Sequence, residues 1–218
     1  VEGVQLRLFG AHVFEGADHG AEIGEEGVIG EFLVDGLGDA EVDHFGNGFA
    51  IVEGDQLLDA KLTDGNSEIM IAVKSGRAIR FQEEKVRSTG RGAIGVSGIE
   101  VDDEKDEVVG MICVNKEDKT RTVLVVSEKG YGKRTAVDEY RITNRGGKGV
   151  KTISVTEKTG KLVGILDVTE KEDLMITCIS GVTIRMSVAR ISELGRATQG
   201  VKLIKLDDSD EIAAITQL

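Results

Sequence analysis

The 218-residue chain has no proline and no tryptophan, and only 4% of its residues are aromatic. Without proline, the chain must turn by other means. Its 29 glycines supply them, because glycine accepts the positive φ angles of tight hairpins. With few rings, the core has to come mainly from Val, Ile, Leu and Ala. Frequent glycine turns and an aliphatic core lean towards a β protein of many short strands. No run approaches the ~20 apolar residues that cross a bilayer, and no basic start followed by an apolar run marks a signal peptide, so no membrane partner is expected. The two cysteines, Cys113 and Cys178, lie in separate apolar runs with no CxxC spacing and no histidine nearby. They read as buried thiols of a protein in a reducing cytoplasm, and no metal is expected.

Positive charge is nearly missing from one part of the chain. Residues 1–50 hold one base, Arg7, and eleven acids, a net charge of −10 out of −12 for the whole chain. Residues 51–218 are close to neutral at −2, so the placement of their bases matters more than their total.

What is present is a repeat. Three units run over residues 69–114, 123–168 and 174–218, and residues 51–62 match the end of an earlier one. Gly76, Gly130 and Gly181 are each followed four residues later by Arg80, Arg134 or Arg185. Arg91, Arg145 and Arg196 stand fifteen residues beyond those glycines, and Gly95, Gly149 and Gly200 four further on. Within a unit, the first strand (Ile69–Val73) turns at Lys74–Gly76 into a second (Arg77–Phe81). A polar loop carrying the Arg/Gly cluster follows. A third strand (Val96–Val101) and a fourth (Val108–Val114) flank an acidic turn, with Asp106 and its counterpart Asp210 read as solvated tips. Short helical turns such as Val137–Tyr140 are the best candidates for helix. Four strands per repeat of about 50 residues predict an all-β, propeller-like array of four-stranded antiparallel blades, because one such sheet cannot bury its own apolar faces.

Bases recur at two places in each unit. After the hairpin come Arg77 and Arg80, then Lys133 and Arg134, then Arg185. Around the Gly-rich loop come Arg91, then Arg141, Arg145, Lys148 and Lys151, then Arg196 and Lys202. Glycines let a backbone approach phosphates closely while Arg and Lys neutralise them, and repetition around a rim suits a bent duplex better than a specific sequence. The alternative for any one arginine is that it bonds neighbouring blades. No constellation for catalysis is found. Gly195–Gly200 has P-loop-like spacing, but Val201 stands where lysine is needed. The three histidines lie in residues 1–50, and Tyr131 and Tyr140 lack the surroundings of a nucleophile.

The segments "EKGYGKRT…EYRITNRGGKGVKTI", "LTDGNSEIMIAVKSGRAIRF" and "GRATQGVKLI" resemble the blades of the C-terminal β-pinwheel domain of bacterial DNA gyrase A subunits. The loop Thr143, Asn144, Arg145, Gly146, Gly147, Lys148, Gly149 is similar to that family's Gln-Arg-Arg-Gly-Gly-Lys-Gly box. Its last five positions match, and Thr143 and Asn144 replace the first two. The box normally occupies the first blade, whereas this copy is in a later one. The resemblance covers about residues 51–218. It implies a module that binds and wraps duplex DNA on its rim and carries no catalytic site or cofactor. ATP and Mg would act only in the parent topoisomerase. The partners it implies are the other A-subunit domains plus the B subunit, in the bacterial cytoplasm at the nucleoid. The corresponding C-terminal domain of the topoisomerase IV A subunit is the alternative within the same class, and a protein-interaction propeller is the rival from another class. Residues 1–50 depart from the pattern, either as an acidic degenerate blade or, the favoured reading, as a stretch outside the family's reading frame.

Overall fold

A computed structural model describes residues 7–8, 58–61, 63, 65–87, 95–101, 106–115, 117–207 and 209–218. Apart from Arg7 and Leu8, the atypical segment 1–50 lies outside the described residues, as does Arg91. The strands in chain order are β1 (Arg7–Leu8), β2 (Glu68–Val73), β3 (Arg77–Gln82), β4 (Val96–Ser97) and β5 (Val108–Val114). There follow β6 (Thr122–Ser127), β7 (Tyr131–Ala136), β8 (Val150–Lys151) and β9 (Leu162–Val168). The last are β10 (Asp173–Cys178), β11 (Thr183–Ser187), β12 (Val201–Lys202) and β13 (Ile212–Gln217). The expected helical turns are single 3-10 turns at Glu83–Lys85, Val137–Glu139 and Val188–Arg190, one after the second strand of each unit.

The fold is all-β, but strand membership differs from the simplest reading of the repeat. The first sheet is ordered β5-β2-β3-β8 and the second β9-β6-β7-β12, while the third has β13-β10-β11. Thus the short third strand of each unit pairs with the unit before it: β8 with β3 and β12 with β7. Likewise β4 pairs with β1 rather than with its own hairpin. The expected Val96–Val101 strand shrinks to Val96–Ser97 for the same reason, since only its first residues lie along a recipient.

A glycine makes the donation possible. Gly149, just before β8, has φ of 70°, and a Cβ there would lie 2.5 Å from the Ala78 carbonyl oxygen. Gly200, just before β12, repeats this with φ of 79° and 2.6 Å to the Gly132 carbonyl oxygen. Any side chain would lift the donated strand off its recipient.

Strand alternation then builds the array. In β2, Met70 and Ala72 share a buried cluster with Val123 and Val125 of β6, while Ile69, Ile71 and Val73 pack the opposite face. In β6, Leu124 and Val126 face Leu174 and Ile176 of β10. The first two sheets are therefore buried on both faces, and β2 and β6 read as unbroken apolar runs. By contrast, β10 alternates buried and half-buried residues.

Of the two acids read as solvated tips, Asp106 departs from that reading, whereas Asp210 keeps a half-exposed position. Asp106 is buried; its Oδ1 accepts the Ser75 N–H at 2.8 Å, and its Oδ2 lies 3.6 Å from Arg77 Nη2. Asp210 accepts the Ser180 N–H at 3.1 Å and the Ser180 hydroxyl at 2.6 Å, which holds its carboxyl below the usual range. Ser75 and Ser180 precede the turn glycines, so one hairpin's acid satisfies a backbone donor that the neighbouring tight turn leaves over.

Candidate nucleic-acid interface

The Gly-rich loops are strung from one repeat to the next. Arg145 donates from Nη1 to the Ser97 carbonyl at 3.0 Å and from Nε to the Lys85 carbonyl at 2.8 Å. Arg196 donates from Nη1 to the Lys151 carbonyl. Ser97 and Lys151 are equivalent, each two residues beyond the loop's last glycine, so the arginine fixed fifteen residues after the turn glycine ties its loop to the preceding donated strand. Backbone bonds reinforce the tie: Gly146 N–H to Gly98 O at 2.7 Å, Glu100 N–H to Gly147 O at 3.0 Å, and Ser154 N–H to Thr198 O at 3.0 Å.

Three of the expected contact residues lie in the interior. Arg80 is buried, donating to the Glu68 carboxylate and to the Val137 and Tyr140 carbonyls of the next unit at 2.7 and 2.8 Å. Arg134 repeats the arrangement one unit on, donating to the Ile191 carbonyl at 2.8 Å and to Glu170 at 3.0 Å. Lys133 has no exposed surface, and its ammonium donates to the Gly195 and Arg196 carbonyls. Burial, with the nearby Arg196 charge, pulls its pKa down to about 8. The contacts of these three residues brace neighbouring repeats. Burial also pushes the Cys113 thiol up to about 11, and both cysteines are free.

The other expected residues reach the surface. Arg141, Lys148, Lys151, Arg185 and Lys202 are exposed, and Arg77, Arg145 and Arg196 are half-buried. Lys151 and Lys202 occupy the same place on the outermost strands β8 and β12, opposite Arg77 and Tyr131 respectively. Lys148 lies 3.7 Å from Glu100, and Arg185 pairs with Asp173 at 2.6 Å. Thr143 and Asn144 lie at the loop's start, with Thr143 N–H bonded to Arg80 O at 2.8 Å. The sequence left Lys158 out of the candidate bases and pointed to Tyr131 only as a residue without a nucleophile's surroundings, although Tyr131 stands at the register of Arg77. Among the described residues no three His, Cys, Asp or Glu side chains converge as a metal site would require. No described helix is long and apolar enough to cross a membrane.

Stacked antiparallel sheets, the first two closed at their outer edge by the following repeat, define a strand-exchanged propeller with bases along its donated strands. A family model described as "DNA gyrase C-terminal domain, beta-propeller" matches residues 67–115, 121–169 and 180–218, and the chain belongs to that family. It is 47% identical over 166 residues to the DNA gyrase A subunit of Staphylococcus epidermidis and 48% identical to that of Staphylococcus aureus. Each match covers 76% of this chain but 18% of the relative, so the chain spans under a fifth of their length. A solved DNA gyrase A C-terminal domain superposes with a TM-score of 0.62 at 28% identity, covering 70% of this chain and 50% of that one. The C-terminal domain of a DNA topoisomerase IV gives 0.72 at 20% identity over 78% of this chain and 52% of that one, a likeness of fold alone.

Proposed function

We propose that this chain binds duplex DNA through its backbone and wraps it without reading sequence. Within a gyrase holoenzyme that wrapping would support negative supercoiling. The observation that carries the proposal is the repetition of exposed lysines on consecutive outer strands, Lys151 on β8 and Lys202 on β12, beside the loop that holds Arg145 and Lys148. Cations repeated at one register along an array neutralise phosphates at intervals, which favours a duplex that follows the rim. The contact set is Arg77, Arg141, Arg145, Lys148, Lys151, Arg185, Arg196 and Lys202, with Arg91 as the first unit's counterpart.

The chain acts without a catalytic centre or cofactor of its own. ATP, Mg and the strand-passage chemistry belong to the other A-subunit domains and to the B subunit, in the bacterial cytoplasm at the nucleoid. A gel-shift titration of a duplex of about 150 base pairs at two salt concentrations tests binding, and a nicked-circle ligation on the same sample tests wrapping. Salt-sensitive shifts with displaced topoisomers support both parts. Shifts without displaced topoisomers remove the wrapping, and no shift at low salt removes DNA binding in favour of an interaction scaffold.

A further inference from the structure

The residue after the turn glycine lies beneath the donated strand's lysine in both filled blades. In the first it is Arg77, paired with Lys151, its Nη1 donating to the Lys148 carbonyl at 2.8 Å. In the second it is Tyr131, paired with Lys202. The Tyr131 ring is half-buried, and two ammonium groups gather on it: Lys158 Nζ at 5.4 Å and Lys202 Nζ at 5.9 Å from its centroid. The two lysines come from different repeats, Lys158 from the loop after β8 and Lys202 from β12 itself. Both are exposed, and neither forms an ion pair among the described residues. The phenol hydroxyl makes no hydrogen bond to a described residue.

Two like charges on one small ring repel each other. The ring's π face returns only about 0.5–1 kcal/mol per cation at an exposed site. An anion drawn by both ammoniums would offset their like charge, and the half-buried ring offers apolar surface beside them. The site also adjoins the loop that ends at Gly200, so it lies on the course taken by the rim bases.

Resting on the DNA-binding reading, we infer that Tyr131, Lys158 and Lys202 form a phosphodiester-binding site in which the ammoniums hold the phosphate and the ring supports the adjoining deoxyribose. This site takes the place that Arg77 and Lys151 hold on the first blade.

The chain's composition provides a direct probe. There is no tryptophan, and the other tyrosine, Tyr140, is 1% exposed with its hydroxyl bonded to Thr152. A change in tyrosine emission on adding DNA therefore reports mainly on Tyr131. Duplex DNA added at low salt should change that emission, and high salt should reverse the change. In Tyr131→Phe the response should vanish while the gel-shift affinity stays within about twofold, since the ring is kept. Lys158→Ala should weaken binding about three- to tenfold and lower the salt slope by about 0.9. Full binding with unchanged emission, or Lys158→Ala binding with the original slope, would overturn the site while leaving DNA binding intact. No gel shift at all would overturn both.

Discussion

The second sheet's outer edge is filled, and among the described residues the third's is bare. On β7 the donated β12 lies along Gly132 and Tyr131, and the loop before it covers Lys133 and Arg134. On β11 no described strand takes that side, and Val182, Thr183, Ile184 and Arg185 are exposed. The turn glycines record the same contrast. A Cβ at Gly130 would meet the Ile204 carbonyl at 2.8 Å, whereas one at Gly181 would meet nothing within 4 Å. Arg80, Arg134 and Arg185 stand at one register of the repeat, yet their side chains are 6%, 6% and 68% exposed. A repeated arginine thus has no role of its own. Whether it braces the array or meets solvent depends on whether the next repeat has laid its loop across it.

The sharpest way to break this comparison is to remove the same arginine from both kinds of edge. Arg80→Ala leaves the Glu68 carboxylate buried without its partner and should cost about 3–5 kcal/mol in denaturant unfolding. Arg185→Ala loses a mostly exposed pair and should cost at most about 1 kcal/mol. Equal costs would mean that the donated loop does not set the role.

Glycine substitutions sharpen it next. Gly181→Ala should lose only the ~1–2 kcal/mol of a left-handed backbone. Gly200→Ala should lose more, because its Cβ must also displace the Gly132 carbonyl 2.6 Å away. Thermal unfolding of the two variants side by side measures the difference.

A pH dependence belongs to the filled edge alone. With Lys133 held at about 8, below its ordinary 10.5, the folded chain binds fewer protons than the unfolded chain between those values. Stability carried by this group therefore rises with pH through that window, with a slope of at most ~1.4 kcal/mol per pH unit. Lys133→Met should remove that rise, and an unchanged slope would mean that the ammonium is not confined between the Gly195 and Arg196 carbonyls.

The repeat made the all-β array legible, because Gly76, Gly130 and Gly181 fix the hairpins and the short apolar runs Ile69–Val73 and Val123–Val126 mark β2 and β6. Strand exchange was not legible, since each unit carries both a donated strand and a recipient edge, and spacing within a unit is the same whichever unit the strand joins. The interior roles of Arg80, Lys133 and Arg134 were hidden for the same reason, as their partners lie 57 to 63 residues away. Tyr131 was weighed only as a nucleophile, because its neighbours Lys158 and Lys202 come from two different repeats.

The most direct test of the central claim is the dependence of duplex affinity on salt, for the full chain and for a variant combining Lys148→Ala, Lys151→Ala and Lys202→Ala. The account predicts a steep log–log slope for the full chain that falls by about 2.7 in the variant, at ~0.9 for each phosphate no longer neutralised, with affinity reduced alike on unrelated sequences. A variant that keeps the original slope and affinity would contradict the claim that the donated strands and their loop hold the duplex.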